Sequence, residues 1–259
     1  MDFQGAGAPA TREGILAVLD ALNVKLPQLL AVVTVETSGC GCFSDRRPAI
    51  LFERHIFRKQ TAGRFDAEHP DISNRSPGGY THGSGEYNRL AKAVQLDRPA
   101  ALKSASWGLG QIMGFNFDKA GYDSVETMVE KSIESEDEQL LAMANFLKAT
   151  GLDRPLAAQD WASFARGYNG PDFARNLYDA KLAAAFQRFQ HPPLPDITVR
   201  TAQMLLSYAG FNTGGIDGMV GKHTRAAAQG FREAQGMGSS DEIDDELVDA
   251  LRAALSMTS

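Results

Sequence analysis

The sequence predicts a mainly α chain: an α+β domain with a small β region over residues 1–190, then a small three-helix domain over 196–259. Three observations carry this reading. Apolar residues recur at helical spacing along most of the chain. That regularity lapses between Cys40 and Gly83, a stretch rich in Gly, Pro, Asp and Arg. Finally, His191-Pro192-Pro193-Leu194-Pro195 cannot continue a helix and favours an extended linker, so the chain divides at residues 191–195.

The elements follow in order. Thr11 can cap a helix running to Leu22, with Ile15, Val18, Leu19 and Leu22 on one side. Pro27 suits a helix start, and the run from Leu29 to Val35 is apolar nearly all round, which predicts a buried helix closed by Gly39. Ala49 to Phe52 is the best strand candidate. Further helices are expected at Gly85–Val94, Ser124–Lys131, Glu136–Thr150, Ala158–Phe164 and Ala174–Gln190, the acidic run Glu134–Glu138 being a solvated helix start. In the last domain, Ala202, Leu205, Leu206 and Ala209 mark one apolar stripe. Thr224 is expected to cap the second helix, and Ser239 with Glu242 reads as a capping box for a third helix that buries Leu247, Leu251 and Leu255.

Charge and composition exclude several functions. With 26 basic and 32 acidic residues the net charge is −6, a poor match to nucleic acid. The last domain is itself acidic, with five basic residues against nine acidic ones. No apolar run has the length of a membrane span, so no stable membrane association is expected, and Met1 to Ala10 does not read as a secretory signal. Cys40 and Cys42, separated by one glycine, read as two reduced thiols. No His/Cys/Asp/Glu spacing suggests a metal, and no cofactor is expected.

Glu36 stands out as the residue able to do chemistry. It ends the buried helix, where apolar neighbours and the negative end of the helix dipole both disfavour ionisation. A carboxylic acid still protonated near neutrality can serve as a general acid. The plainer alternative is a glutamate that surfaces where a buried helix meets solvent. Two other segments bear on the choice. In Ser104–Gly114, three glycines allow close backbone approach, Trp107 offers a flat face for a sugar ring or for the core, and Gln111 can donate and accept. In Phe164–Pro171, Tyr168 and Asn169 precede a Gly-Pro pair, a helix end or sharp turn.

These segments together carry a resemblance. A Glu-x-Ser after a buried helix, then Gly-Leu-x-Gln, then Ala-x-x-Tyr-Asn-Gly resembles the lysozyme-like superfamily, in which goose-type lysozymes and lytic transglycosylases share the ordered trio. Val35-Glu36-Thr37-Ser38-Gly39, Ile50-Leu51-Phe52-Glu53-Arg54-His55, Ser106-Trp107-Gly108-Leu109-Gly110-Gln111-Ile112-Met113-Gly114 and Ala165-Arg166-Gly167-Tyr168-Asn169-Gly170 look more closely like the N-acetylmuramidase domain of phage endolysins. Asp217-Gly218-x-x-Gly221-x-x-Thr224-x-x-Ala227-x-x-x-Phe231 resembles the three-helix peptidoglycan-binding domain of cell-wall hydrolases, with Arg232 where that family usually has Gln.

The resemblance implies a lysozyme-like fold for residues 1–190 and cleavage of the β-1,4 bond between N-acetylmuramic acid and N-acetylglucosamine. Glu36 is then the general acid and Glu53 the leading second carboxylate, unless Arg54 or His55 pairs it in a purely structural role. Ser38, Ser106, Trp107, Gln111, Tyr122, Tyr168 and Asn169 are the expected substrate contacts. The partner is peptidoglycan glycan. A monomer is expected, made in the host cytoplasm and reaching the wall through a holin-like pore. A lytic transglycosylase giving anhydromuramic products, or a wall-binding protein without activity, remain the alternatives.

Overall fold

The computed structural model describes residues 2–257; Met1, Thr258 and Ser259 lie outside the described residues. The chain forms α1 (Arg12–Leu22), α2 (Leu26–Thr37), β1 (Ile50–Phe52), α3 (Arg54–Gln60), α4 (Glu86–Leu96), α5 (Arg98–Lys103), β2 (Ala105–Trp107) and β3 (Ile112–Met113). Then follow α6 (Val125–Glu134), α7 (Glu136–Thr150), α8 (Asp153–Ala157), α9 (Trp161–Asn169) and α10 (Tyr178–Gln190). The last three helices are α11 (Ile197–Tyr208), α12 (Lys222–Ala234) and α13 (Asp245–Ala254).

Local chemistry explains several of the helix boundaries. Thr11, Ser124, Ser135, Asp160, Asp196 and Asp244 each cap a helix by accepting a backbone N–H with the side chain. The α2 helix stops where Ser38 turns left-handed at φ 56°, and Gly39 follows at φ 90°. That exit holds Glu36 in the last turn of the helix.

Two cores meet at the site. One joins α1, α2, α7, α9 and α10 through Val18, Leu29, Val33, Met143, Leu147, Phe164 and Leu182. The other lies behind the antiparallel sheet β1-β2-β3 and is closed by α4, α5 and α6. In register, Leu51 pairs with Ser106 and Ile50 with Trp107. Alternation puts Phe52, Ala105 and Trp107 into the core and Leu51, Glu53 and Ser106 on the opposite face. A third, smaller core is internal to α11, α12 and α13. Among the described residues, no single helix is long and apolar enough to cross a membrane.

The sequence expectations need correction at several points. The helix expected at Ala158–Phe164 starts at Trp161 and runs to Asn169, because the Asp160 side chain is its cap. The helix expected from Ala174 begins at Tyr178, after a short 3-10 turn at Pro171–Asn176. The short helices α3, α5 and α8 were not expected. Thr224 is not a cap: it lies inside α12, where its hydroxyl meets the Gln203 amide and the Thr213 carbonyl. Ser239 and Glu242 form no capping box, since Asp244 caps α13. Glu136 is no solvated charge at a helix start; it is buried and paired with Arg200 of α11. Cys40 and Cys42 are free thiols, and burial pushes Cys42 up to about 12.

Candidate active site

The two cores leave a cleft of about 380 Å³ between the end of α2 and the sheet. Glu36, Thr37 and Ser38 form one wall, Ala49, Ile50, Leu51 and Gln111 the other, and His82 and Gly83 stand at its edge. The segment that brings His82 there is fixed by Glu86, which has no exposed surface. One Glu86 oxygen accepts the backbone N–H groups of Thr81 (2.5 Å) and His82 (3.2 Å) and the Thr81 hydroxyl (3.0 Å). The other accepts the Phe52 N–H (3.1 Å) and the Arg89 guanidinium (2.8 Å). Burial acts to raise the Glu86 pKa, but these donors outweigh it and hold the carboxyl below the usual range.

Glu36 is treated in the opposite way. Burial raises its pKa from 4.5 to about 7, and a single hydrogen bond, from Asn169 Nδ2 to Oε1 at 2.9 Å, opposes the rise. The position at the carboxyl end of α2 acts in the same direction as burial. This carboxyl therefore keeps its proton toward the neutral range while facing an open cleft. Asn169 ends α9, next to Tyr168, which stacks on Phe164 of the same helix at 5.2 Å and ties that end to the Gly110 carbonyl by donating its hydroxyl.

The remaining sequence candidates divide. Gln111, at φ 47°, lines the cleft, donates to the carbonyls of Ala49 (3.0 Å) and Gly108 (2.9 Å), and accepts the Ser106 hydroxyl (2.7 Å). Ser106 thus orients Gln111. Ser38 is exposed at the cleft wall. Tyr168 supports Asn169 and the Gly108–Gln111 turn from behind. Trp107 is a correction. It is 2% exposed, donates its indole N–H to the Leu102 carbonyl and packs on Phe3, so it offers no face to a sugar. Tyr122 does not line the cleft either; its hydroxyl meets the Glu138 carbonyl at 3.4 Å.

Glu53 follows β1 on the face that carries Leu51. Both of its oxygens accept the Tyr80 hydroxyl (2.9 and 3.0 Å), and His55 Nδ1 lies 3.0 Å from Oε2. Glu53 is therefore engaged, at the side of the cleft where Tyr80 packs beside His82. Sequence reasoning did not find His82, Glu86 or Arg89. The only signal for them was the helix start expected at Gly85, which did not single out Glu86. Among the described residues, no group of three or more His, Cys, Asp or Glu is placed to hold a metal.

Comparison with known proteins agrees with this arrangement. The profile of the family described as Muramidase, N-acetylmuramidase, matches residues 25–190. A solved structure, the crystal structure of a Burkholderia AP3 phage endolysin, is similar to this chain with 41% sequence identity and a TM-score of 0.63, over 70% of this chain and 70% of that one. No curated protein matches. With its family match extending over the α2 acid, the sheet and the Asn169 helix end, the chain belongs to the N-acetylmuramidase family, glycoside hydrolases of the lysozyme type.

Proposed function

We propose that the protein is an endolysin that hydrolyses the β-1,4 bond between N-acetylmuramic acid and N-acetylglucosamine, with Glu36 as general acid. The carrying observation is a carboxyl with one hydrogen-bond donor, held near pKa 7, on the wall of an open cleft. Glu36 gives its proton to the bridging oxygen as the C1–O bond breaks, and positive charge develops on the sugar ring. Ser38 and Gln111 contact the glycan, and Asn169 orients the acid. Glu53, the second carboxylate of this reading, supports the charge or takes a proton from the attacking water. Each turnover then adds one water across the bond. The −4 net charge of residues 196–259 suits a neutral or mixed-charge wall ligand, and we assign wall binding to that domain.

The enzyme acts as a monomer, made in the host cytoplasm and admitted to the wall once the inner membrane is permeabilised, so that its activity lyses the host. Glu36→Gln on permeabilised cells tests the acid: clearing is expected to fall about 10²- to 10⁴-fold, and unchanged clearing would remove Glu36 from the mechanism.

One observation favours a second reading. Glu36 is the one carboxylate among the residues lining the cleft. A lytic transglycosylase needs only one, and gives anhydromuramic ends. Mass spectrometry of the digest separates the two reactions, since transglycosylase products are lighter by one water.

A further inference from the structure

The last domain does not touch the rest of the chain through its linker alone. Arg200, on α11, is 4% exposed and reaches between α7 and the loop that leaves α2. Its Nη1 and Nη2 donate to the two oxygens of Glu136 at 2.6 and 2.8 Å, and Nη2 also donates to the Gly39 carbonyl at 2.6 Å. Glu136 in turn accepts the backbone N–H of Gly41 (2.9 Å) and of Ala10 (3.1 Å). The segment Gly39–Gly41 is thus gripped at one end by Arg200 and at the other by Glu136. It is the segment that follows Glu36 and Ser38.

The same grip continues to the opposite wall. The Gly41 carbonyl accepts the Ala49 N–H at 2.8 Å, and the Ala49 carbonyl accepts the Gln111 side-chain amide at 3.0 Å. Space around Gly39 is also closed by the last domain: a Cβ there would collide with the Ile216 carbonyl. Tyr208 adds a bond from its hydroxyl to the Gly7 carbonyl at 2.8 Å. The Arg200–Glu136 pair at the centre of this contact is buried on both sides.

We propose that Arg200 is a positioning residue for glycan cleavage: with Glu136 it fixes the Gly39–Gly41 segment and so sets the spacing between the Glu36 wall and the Gln111 wall of the cleft. The inference rests on the reading of Glu36 as the acid. It gives residues 196–259 a part in the chemical step that is separate from holding the enzyme on the wall. A flexible anchor would raise local substrate concentration and leave turnover of a soluble substrate unchanged. A clamp acts on turnover itself.

The test uses the full chain and a soluble tetrasaccharide of alternating N-acetylglucosamine and N-acetylmuramic acid, which needs no anchoring. Removing Arg200 alone would leave Glu136 charged and buried, so the main variant is Arg200→Met/Glu136→Gln, which removes both charges. With circular dichroism confirming the folded state, kcat is expected to fall by at least about tenfold while KM stays within about twofold. Wild-type kcat in the folded variant would overturn the proposal. Should that variant fail to fold, Arg200→Lys keeps a cation beside Glu136 but lacks the planar fork that spans carboxylate and carbonyl; a kcat at the wild-type level would again overturn it. Glu36→Gln in the same assay keeps the two claims apart. Full activity there removes the acid, whereas loss there with no loss in the Arg200 variants removes only the clamp.

Discussion

Glu86 and Glu36 are both withdrawn from water, and the structure makes them different chemical groups. Glu86 is enclosed by the Thr81 and His82 backbone, the Thr81 hydroxyl, the Phe52 N–H and Arg89, and stays an anion. Glu36 has one donor, Asn169, and a cleft in front of it. The difference teaches that burial by itself does not decide the role of a carboxyl. Its partners do: several donors and the Arg89 charge make Glu86 a structural tie, and one neutral donor leaves Glu36 an acid. Glu136, with Arg200, Ala10 and Gly41, is bonded in the manner of Glu86.

The comparison can be broken in order of effect. Glu86→Leu leaves Arg89 charged, buried and without its counter-ion, and should cost about 3–5 kcal/mol of stability; a urea melt within 1 M of wild type would show that the tie is dispensable. Trp107→Ala opens the core behind the sheet and should cost about 3–5 kcal/mol with KM unchanged, whereas a raised KM in a folded variant would return Trp107 to the glycan. Glu36→Gln should do the reverse of Glu86→Leu and stabilise the protein at high pH. Because the folded pKa of about 7 lies above 4.5, the native state binds more protons than the unfolded chain between those values, so the Glu36 contribution to stability falls as pH rises through that window. The gain for Glu36→Gln is therefore nearly absent at pH 4 and reaches about 3 kcal/mol at most by pH 8; an equal effect on Tm at both pH values would contradict it. Asn169→Ala removes the one bond that favours the Glu36 anion, so the alkaline limb of the kcat profile should move to higher pH, and a move to lower pH would reverse the assignment.

Much of this site could be read from residues close in sequence. The acid at the end of an apolar helix, the left-handed exit at Ser38 and Gly39, and the Tyr168-Asn169-Gly170 helix end are local features, and the chain order of the motifs carried the family. Trp107 was misread because a tryptophan among glycines suits a sugar face and a core equally, and its burial, its indole bond to Leu102 and its packing on Phe3 decide for the core. Glu86 and Glu136 were unreadable for a related reason. Glu136 takes its donors, Ala10, Gly41 and Arg200, from distant elements, and Glu86 joins near neighbours, Thr81, His82 and Arg89, to the distant Phe52, so nothing in the local pattern distinguishes a tied glutamate from a solvated one. The short helix α3 has no side-chain cap to announce it.

The central claim is that the Glu36 carboxyl holds its proton into the neutral range. Carbon-13 NMR of the glutamate side-chain carboxyls, titrated with Glu36→Gln as the assignment control, measures this directly. A Glu36 midpoint at about 7 is expected, and a midpoint in the ordinary range near 4.5 would contradict the account.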